Sequence, residues 1–236
     1  MTAPATAVVA LLTGLYTLVL GVTGILLCLL VPGGAALMPL ARLWSRLVMG
    51  TARVRWRATY DPALDPGRPA VYAANHQSQF DIPALVLSMP ADFRVVAKRS
   101  LLYVPIFGWA LWLAGFIFID RGNRDQAIRG LDRAADRLRR GTSVAIFAEG
   151  TRSADGVLLP FKRGGFVMAL KAGVPIVPVT IKGGHAILPK GRLAIRPGVI
   201  DVHYGAPVET GAYSYETRDR LVEAVRAAIA AELRRA

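Results

Sequence analysis

The sequence of 236 residues contains a single cysteine, Cys28, and only three histidines. One cysteine cannot form an intramolecular disulfide, and it excludes the multi-cysteine zinc sites of small metal-binding domains. Acidic residues are also few, because 16 Asp and Glu stand against 29 Lys and Arg, which gives a net charge of +13. Hydrophobic residues make up 53% of the chain, which excludes a disordered protein. Length and composition favour one α/β domain, alone or with an appended segment.

The first 41 residues contain no charged side chain. Residues 8–31 form an apolar run of 24 residues, and about 20 suffice to cross the hydrocarbon core of a bilayer. The run lacks the basic start and the cleavage site of a secretory signal peptide. Pro32-Gly33-Gly34 then interrupts it, and residues 35–49 form a shorter stretch with two arginines. We predict a membrane anchor over residues 1–50, a hydrophobic helix and an interfacial amphipathic helix, that either spans the bilayer or dips into it.

Positive charge follows this anchor directly. Five arginines precede the first acid, Asp61, and they are Arg42, Arg46, Arg53, Arg55 and Arg57. Such a cluster favours the cytoplasmic side of a membrane and anionic headgroups, although three of the five also fit the solvent face of an alternating strand. Nucleic acid is the other partner of basic chains, but the sequence lacks a zinc spacing or an aromatic RNA-binding signature. We expect a phospholipid membrane as partner and no nucleic acid, with residues 51–236 on the cytoplasmic face of the cell inner membrane.

Residues 51–236 alternate β-rich runs with helical patterns, which is typical of an α/β sheet covered on both faces. Since this region has the charge content of a soluble domain, we expect it to fold without the anchor. The predicted strands lie at 54–58, 69–74, 94–98, 116–119, 143–148, 175–181, 193–195 and 199–204, and the predicted helices at 80–89, 123–140, 165–172 and 217–235.

Residues 101–119 contain no charge and have nearly the length of a second transmembrane helix. Pro105, Gly108 and Gly115 interrupt the stretch, and its last four residues are β-rich. We therefore predict a buried helix followed by a strand.

His76 follows a predicted strand, and Asp81 comes five residues later. In one continuous helix the two side chains would point about 140° apart. A turn followed by a helix that begins near Pro83 would bring them together. The imidazole could then take a proton from an attacking hydroxyl while the carboxylate fixes its tautomer. In the alternative interpretation, Asp81 is an ordinary helix cap and His76 a hydrogen-bonded turn residue.

A second polar segment, Glu149-Gly150-Thr151-Arg152, also follows a predicted strand. Open α/β sheets bind their ligands at the carboxyl ends of the strands, where this segment would lie. Arg152 offers a guanidinium fork for a phosphate. The segment could also be a loop with a surface salt bridge.

Together these segments resemble the glycerolipid acyltransferase family, in particular the 1-acylglycerol-3-phosphate acyltransferases. Four ordered blocks carry the resemblance: N-H-x-x-x-x-D at 75–81, a block ending in arginine at 115–121, F-A-E-G-T-R-S at 147–153, which matches the family's F-P-E-G-T-R-S, and a proline-bearing block at 174–181. Ala148 stands where the family usually has proline. We expect this departure to affect the backbone more than the chemistry.

The resemblance implies a mixed sheet flanked by helices and a role for each matching residue. His76 would be the general base and Asp81 its partner. The implied substrate-binding residues are Lys98, Arg121, Glu149, Gly150, Thr151 and Arg152, of which the three cations would bind a phosphate. Arg121 has an alternative as the salt-bridge partner of Asp120.

The resemblance also implies the reaction, in which a fatty acyl chain passes from acyl-CoA or acyl-carrier protein to lysophosphatidic acid and forms phosphatidic acid. A covalent acyl-enzyme would need an activated Ser or Cys, but Cys28 lies in the membrane segment and no G-x-S-x-G elbow occurs. We therefore expect direct transfer from a thioester, with no metal and no cofactor.

Two rival functions remain. The same chemistry could act on a lyso-ornithine lipid, another lysophospholipid or glycerol 3-phosphate. The chain could instead be a non-catalytic membrane lipid-binding protein, although such a protein need not keep both His76 and Asp81.

Overall fold

The computed structural model describes residues 2–30, 37–120, 122 and 124–235. The predicted break at residues 32–34 and the predicted phosphate ligand Arg121 lie outside the described residues. The helices are α1 (Ala3–Leu30), α2 (Leu37–Thr51), α3 (Asp81–Ser88), α4 (Phe107–Leu113), α5 (Arg124–Arg139), α6 (Gly164–Ala172), α7 (Gly184–Ile187) and α8 (Arg218–Arg234), with a 3₁₀ turn at Arg99–Tyr103. The strands are β1 (Val54–Tyr60), β2 (Val71–Ala74), β3 (Phe93–Lys98), β4 (Ile117–Ile119), β5 (Ser143–Phe147), β6 (Ile176–Lys182) and β7 (Gly198–Tyr204).

The strands form one seven-stranded sheet in the order β1-β7-β6-β2-β5-β3-β4. Neighbouring strands run parallel except for the antiparallel pair β6 and β7. The sequence of β2, β5 and β6 is almost continuously apolar because helices cover both faces of the sheet centre. The predicted mixed α/β sheet flanked by helices is confirmed.

Two hydrophobic cores lie on opposite faces of this sheet. The face that we call the α1 face carries α2, α3 and part of α1, and its core includes Val48, Phe80 and Val179. The face that we call the α8 face carries α5, α6 and α8. Alternate residues of each central strand point into one core or the other, as the period of two in a strand requires.

Two predicted elements are wrong. Residues 193–195 form an irregular loop rather than a strand, and only Ile195 is buried there. The stretch 101–119 does end in a strand, β4, but the helix before it, α4, is not buried: Trp109 is 53% and Trp112 63% exposed. The glycines and Pro105 shorten the helix to seven residues, and it packs on α1 rather than inside the domain.

Helix α1 is the one helix among the described residues that is long and apolar enough to cross a membrane, by length and composition. It packs along α2 and α4, and Val9 reaches the core of the α1 face. The opposite side of α1 exposes an apolar stripe at helical spacing, formed by Val8, Leu11, Leu15, Leu18, Val22, Leu26 and Leu29.

Helix α2 joins α1 to the sheet domain. Its residues Val48 and Met49 are buried in the core of the α1 face, and α2 packs against α3 and β1. Two hydrogen bonds connect it with α1, from Trp44 Nε1 to Thr17 Oγ1 at 2.9 Å and between the hydroxyls of Tyr16 and Thr51 at 3.1 Å. The division at residue 50 stays a prediction, but the two parts share one core, which argues against the expectation that residues 51–236 fold alone.

We therefore expect deletion of residues 2–50 to unfold the protein, whereas deletion of residues 2–30 leaves a folded domain. Burial of a valine or methionine side chain stabilises by about 1.5–3 kcal/mol. Losing both Val48 and Met49 is thus serious for a domain whose net stability is typically about 5–15 kcal/mol. Circular dichroism and thermal unfolding in detergent measure whether each deletion variant folds. Equal unfolding midpoints for the two deletions would contradict the shared core.

Candidate active site

The carboxyl ends of four strands meet at one edge of the sheet. Strands β2, β5, β3 and β6 run parallel, and each is followed by a polar or glycine-containing segment. Residues 75–81 follow β2, residues 148–153 follow β5, Lys98 ends β3, and Gly183 follows β6. Parallel neighbours therefore bring the predicted site segments together at the ligand-binding edge of the sheet.

His76 and Asp81 form a hydrogen-bonded pair, with His76 Nδ1 at 2.9 Å from Asp81 Oδ2. The chain turns after β2, and α3 begins at Asp81 itself, as the sequence predicts. Asp81 is fully buried, and its Oδ2 also accepts hydrogen bonds from the backbone N–H groups of Gln77 at 2.6 Å and Ser78 at 2.8 Å. Both amides precede α3, so the carboxylate braces the turn that carries His76 and does not cap the helix.

This pairing sets the tautomer of His76. Because the Oδ2 of an ionised Asp81 only accepts hydrogen bonds, Nδ1 of His76 carries a proton and Nε2 keeps the basic lone pair. The imidazole stacks on the ring of Phe147 with centroids 3.9 Å apart and lies on the wall of a cavity. Asp81 and Phe147 thus hold the imidazole on two sides, and Nε2 is its basic nitrogen.

The second oxygen of Asp81, Oδ1, is buried without a hydrogen bond. It lies against the backbone of Gly184 in α7, where a Cβ would stand 2.2 Å from Oδ1 and 3.0 Å from the Cβ of Ser78. A real side chain does not tolerate such an approach, so the position of the carboxylate depends on the missing Cβ of Gly184.

Glu149 lies behind His76 rather than on the cavity wall. It is buried, and its two carboxylate oxygens accept hydrogen bonds from the backbone N–H groups of His76 at 2.6 Å and Leu159 at 2.9 Å. Burial raises the pKa of this carboxyl group, and the two amide hydrogen bonds partly offset the increase. Glu149 does not line the cavity, and it positions the segment of His76 from behind.

Two further residues of the family blocks, Asn75 and Ser153, hold the site through contacts that the sequence does not reveal. Asn75 bridges β2 to β6, because its side-chain amide donates to the carbonyl oxygen of Ile181 at 2.9 Å and accepts from the N–H of the same residue at 2.7 Å. The N–H of Ser153 donates to the carbonyl oxygen of His76 at 2.8 Å. An asparagine at a strand end is usually a turn residue, so only the tertiary contact shows its role.

The departure at Ala148 has a backbone explanation. The N–H of Ala148 donates to the carbonyl oxygen of Ala74 at 2.8 Å, which extends the ladder between β2 and β5 by one bond. A proline, which the family usually has here, cannot make this bond.

A cavity of about 480 Å³ opens beside His76. Most of its wall is apolar and comes from α1, α2, α3, α4 and β3, and it includes Leu20, Trp44, Leu85 and Phe107. Lys98, Gly150, Thr151 and Arg152 line it together with His76. Within the described part of the chain, neither Lys98 nor Arg152 has a carboxylate within salt-bridge distance. Two cations without a nearby carboxylate and a mostly apolar cavity therefore lie beside His76.

The predicted site residues that the structure describes thus come together around His76, although Glu149 bonds its backbone and does not line the cavity. No group of three His, Cys, Asp or Glu side chains within the described ranges is placed to hold a metal ion.

Comparison with known proteins identifies this arrangement. Residues 55–182, more than half of the chain, match the sequence profile of the family described as Acyltransferase. The chain belongs to the acyltransferase family. A 1-acyl-sn-glycerol-3-phosphate acyltransferase of Chlamydomonas reinhardtii is 39% identical over 71% of this chain and 49% of its own length. The human 1-acyl-sn-glycerol-3-phosphate acyltransferase alpha is 36% identical over 68% of this chain and 57% of its own.

A solved structure agrees over nearly the whole fold. The 1-acyl-sn-glycerophosphate acyltransferase PlsC from Thermotoga maritima superposes with a TM-score of 0.80 at 26% identity, over 98% of this chain and 96% of that one. By contrast, this acyltransferase chain spans only about half the length of the curated relatives that it matches.

We expect Gly184→Ala to break the hydrogen bond between His76 and Asp81 while the domain stays folded. The new Cβ would stand 2.2 Å from Oδ1 and would push the buried carboxylate away. The bonded Nδ1 proton should give a downfield proton NMR resonance that this variant loses. Gly205→Ala is the matched control, since its Cβ would meet Pro178 at an ordinary 3.5 Å; an unchanged resonance in Gly184→Ala would contradict the close approach.

Proposed function

We propose that this protein transfers a fatty acyl chain from acyl-CoA or acyl-carrier protein to lysophosphatidic acid and so forms phosphatidic acid. The observation that carries the proposal is the single site in which a His76–Asp81 pair, an apolar cavity and two uncompensated cations meet. The similarity to 1-acyl-sn-glycerol-3-phosphate acyltransferases supports the choice of acceptor.

His76 would act as the general base. Its Nε2 takes the proton of the acceptor hydroxyl as the oxygen attacks the thioester carbonyl, and Asp81 stabilises the imidazolium that forms. The tetrahedral intermediate then collapses, the carbon–sulfur bond breaks, and the thiolate leaves with the proton that His76 returns. The new ester stays on the acceptor and the free thiol stays on the carrier, so no redox or metal step is needed.

The cavity would hold the acyl chain. A volume of about 480 Å³ lies within the range of ligand pockets, and its apolar wall suits a hydrocarbon chain rather than a sugar or a nucleotide. The chain would bury apolar surface against α1, α2 and α4 while its thioester end stays near His76.

Lys98 and Arg152 would bind the phosphate of the acceptor. Both line the cavity, and a guanidinium binds a phosphate through two parallel hydrogen bonds. Arg121 completes this set in the proposal from its place at the end of the second family block. Gly150 and Thr151 would shape the same subsite.

The protein would act while bound to the membrane. Its substrate and product are both lipids, and the exposed apolar stripe of α1 needs an apolar environment. The uncharged N-terminus and the five arginines that follow it favour the cytoplasmic face of the inner membrane. Because one side of α1 packs on the domain, we propose that the helix inserts with the domain attached rather than as a free span.

The deciding experiment is an assay of the purified full chain in detergent against a panel of acceptors with both thioester donors. The panel holds lysophosphatidic acid, lysophosphatidylcholine, a lyso-ornithine lipid and glycerol 3-phosphate. Phosphatidic acid formed from lysophosphatidic acid alone supports the proposal. Faster turnover of another acceptor would reassign the substrate, and no transfer with any pair would favour a lipid-binding protein.

We expect His76→Ala and Asp81→Ala each to lower kcat by about 10² or more, because both act through one proton transfer. The double variant should therefore lose much less than the product of the two single losses. Turnover is measured on the accepted acyl donor, with circular dichroism to confirm folding. Near-normal turnover of His76→Ala would end the general-base mechanism.

We expect Arg152→Ala to raise KM for lysophosphatidic acid by about 10- to 150-fold and to leave KM for the donor nearly unchanged. A lost hydrogen bond to a charged group costs about 1.5–3 kcal/mol. Arg163→Ala is the control, because this neighbouring arginine is paired with Asp219 on the surface. An equal loss of affinity for donor and acceptor would indicate a general structural role for Arg152.

A further inference from the structure

The loop of residues 188–197 is a basic surface feature outside the four family blocks. It contains Lys190, Arg192 and Arg196 and no acidic residue. None of the three has a carboxylate within salt-bridge distance in the part of the chain that the structure describes. The loop therefore carries three positive charges and no negative charge of its own.

The tip of the same loop is apolar. Leu193 is 87% exposed, more than any other large apolar side chain among the described residues. A single exposed leucine is ordinary on a protein surface. A leucine held between unpaired cations is different, because the combination matches the boundary between headgroups and acyl chains of a bilayer.

The loop is presented rigidly. Its turn is closed by a hydrogen bond from the N–H of Arg192 to the carbonyl oxygen of Pro189 at 3.1 Å. Its neck is closed by a bond from the N–H of Arg196 to the carbonyl oxygen of Ile187 at 2.9 Å. Leu188 and Ile195, on either side of the tip, are buried in the core of the α1 face. The exposure of Leu193 is therefore built into the fold.

The loop also has a defined position relative to the anchor and the site. The N–H of Ile195 donates to Thr6 Oγ1 at 3.3 Å, in the first turns of α1, just before the apolar stripe begins at Val8. At its other end, Lys190 Nζ donates to Thr151 Oγ1 at 3.2 Å, on the wall of the cavity. The loop thus extends from the start of the anchor to the active site.

We infer that the loop of residues 188–197 is a second membrane contact, with Leu193 inserted among the lipids and Arg192 and Arg196 on anionic headgroups. The inference rests on the proposed membrane-bound function. A contact on this side of the site would give the domain a second fixed point on the bilayer beside α1, and two such points set how the cavity faces the lipids. An acidic partner protein would match the charges but not an apolar tip that is otherwise left in water.

A fluorescent probe at the tip tests this inference directly. The full chain with Cys28→Ser and Leu193→Cys is labelled with nitrobenzoxadiazole and reconstituted into vesicles of phosphatidylcholine and phosphatidylglycerol in equal parts. The matched control carries the probe at Arg220→Cys, an exposed position in α8 on the opposite face of the sheet. We expect doxyl-labelled lipids to quench the probe at 193 several-fold more strongly than the probe at 220.

Charge is tested in the same system. Because each arginine near an anionic surface contributes about 1 kcal/mol, Arg192→Gln with Arg196→Gln should lower the ratio of inserted to free tip about tenfold or more. Arg220→Gln with Arg234→Gln removes the same charge from α8 and should change nothing. Vesicles of phosphatidylcholine alone should reproduce the loss.

Three results would overturn the inference: equal quenching at 193 and 220, quenching that both pairs of glutamine variants lower alike, and a probe that responds to an acidic acyl-carrier protein but not to vesicles. None of these readouts uses turnover. A protein that inserts Leu193 but transfers no acyl chain would contradict the proposed function and leave the membrane contact standing.

Discussion

The site depends on one buried carboxylate. Asp81 has no exposure to solvent, yet its Oδ2 accepts hydrogen bonds from the imidazole of His76 and from two backbone amides. A buried charge is stable only when such donors surround it, so the turn after β2 must keep its shape for the carboxylate to remain. The same atoms that stabilise the charge thereby orient the base. Gly184, the first residue of α7, completes the arrangement by leaving room for the other oxygen.

Helix α1 belongs both to the wall of the cavity and to the exposed apolar surface. Helices α1 and α2 form part of the cavity wall, and α1 also exposes the long apolar stripe on its outer side. The layer that separates the proposed acyl site from the surroundings is therefore a single layer of helices. Helix α4 has the same double character, because Phe107 faces the cavity while Trp109 and Trp112 are exposed. Helices α1 and α2 are thus part of the site, and α2 is at the same time packed in the core of the domain.

Several features could be predicted because the signal is local. The apolar run of α1, the alternation of strands with helices and the order of the four blocks follow from residue type and spacing, and parallel strands then bring residues 75–81 and 148–153 to one edge. Residues 101–119 and 193–195 were not predictable in this way. The composition of residues 101–119 fits a buried helix, but whether a face of that helix is covered depends on helices that are distant in the sequence. The composition of residues 193–195 fits a strand, but a strand at the edge of a sheet needs a neighbouring strand with free backbone groups to pair with.

The sequence by itself determined the long apolar N-terminal helix, the mixed α/β architecture and the pairing of His76 with Asp81. These depend on hydrophobic pattern and on a turn of six residues. Only the tertiary structure decided that Glu149 accepts a hydrogen bond from the backbone of His76, that Asn75 bridges β2 to β6, and that Gly184 lies against Asp81. The reason is physical: a carboxylate can accept from an amide or bind a ligand, and burial among particular neighbours, which no local pattern encodes, selects between the two.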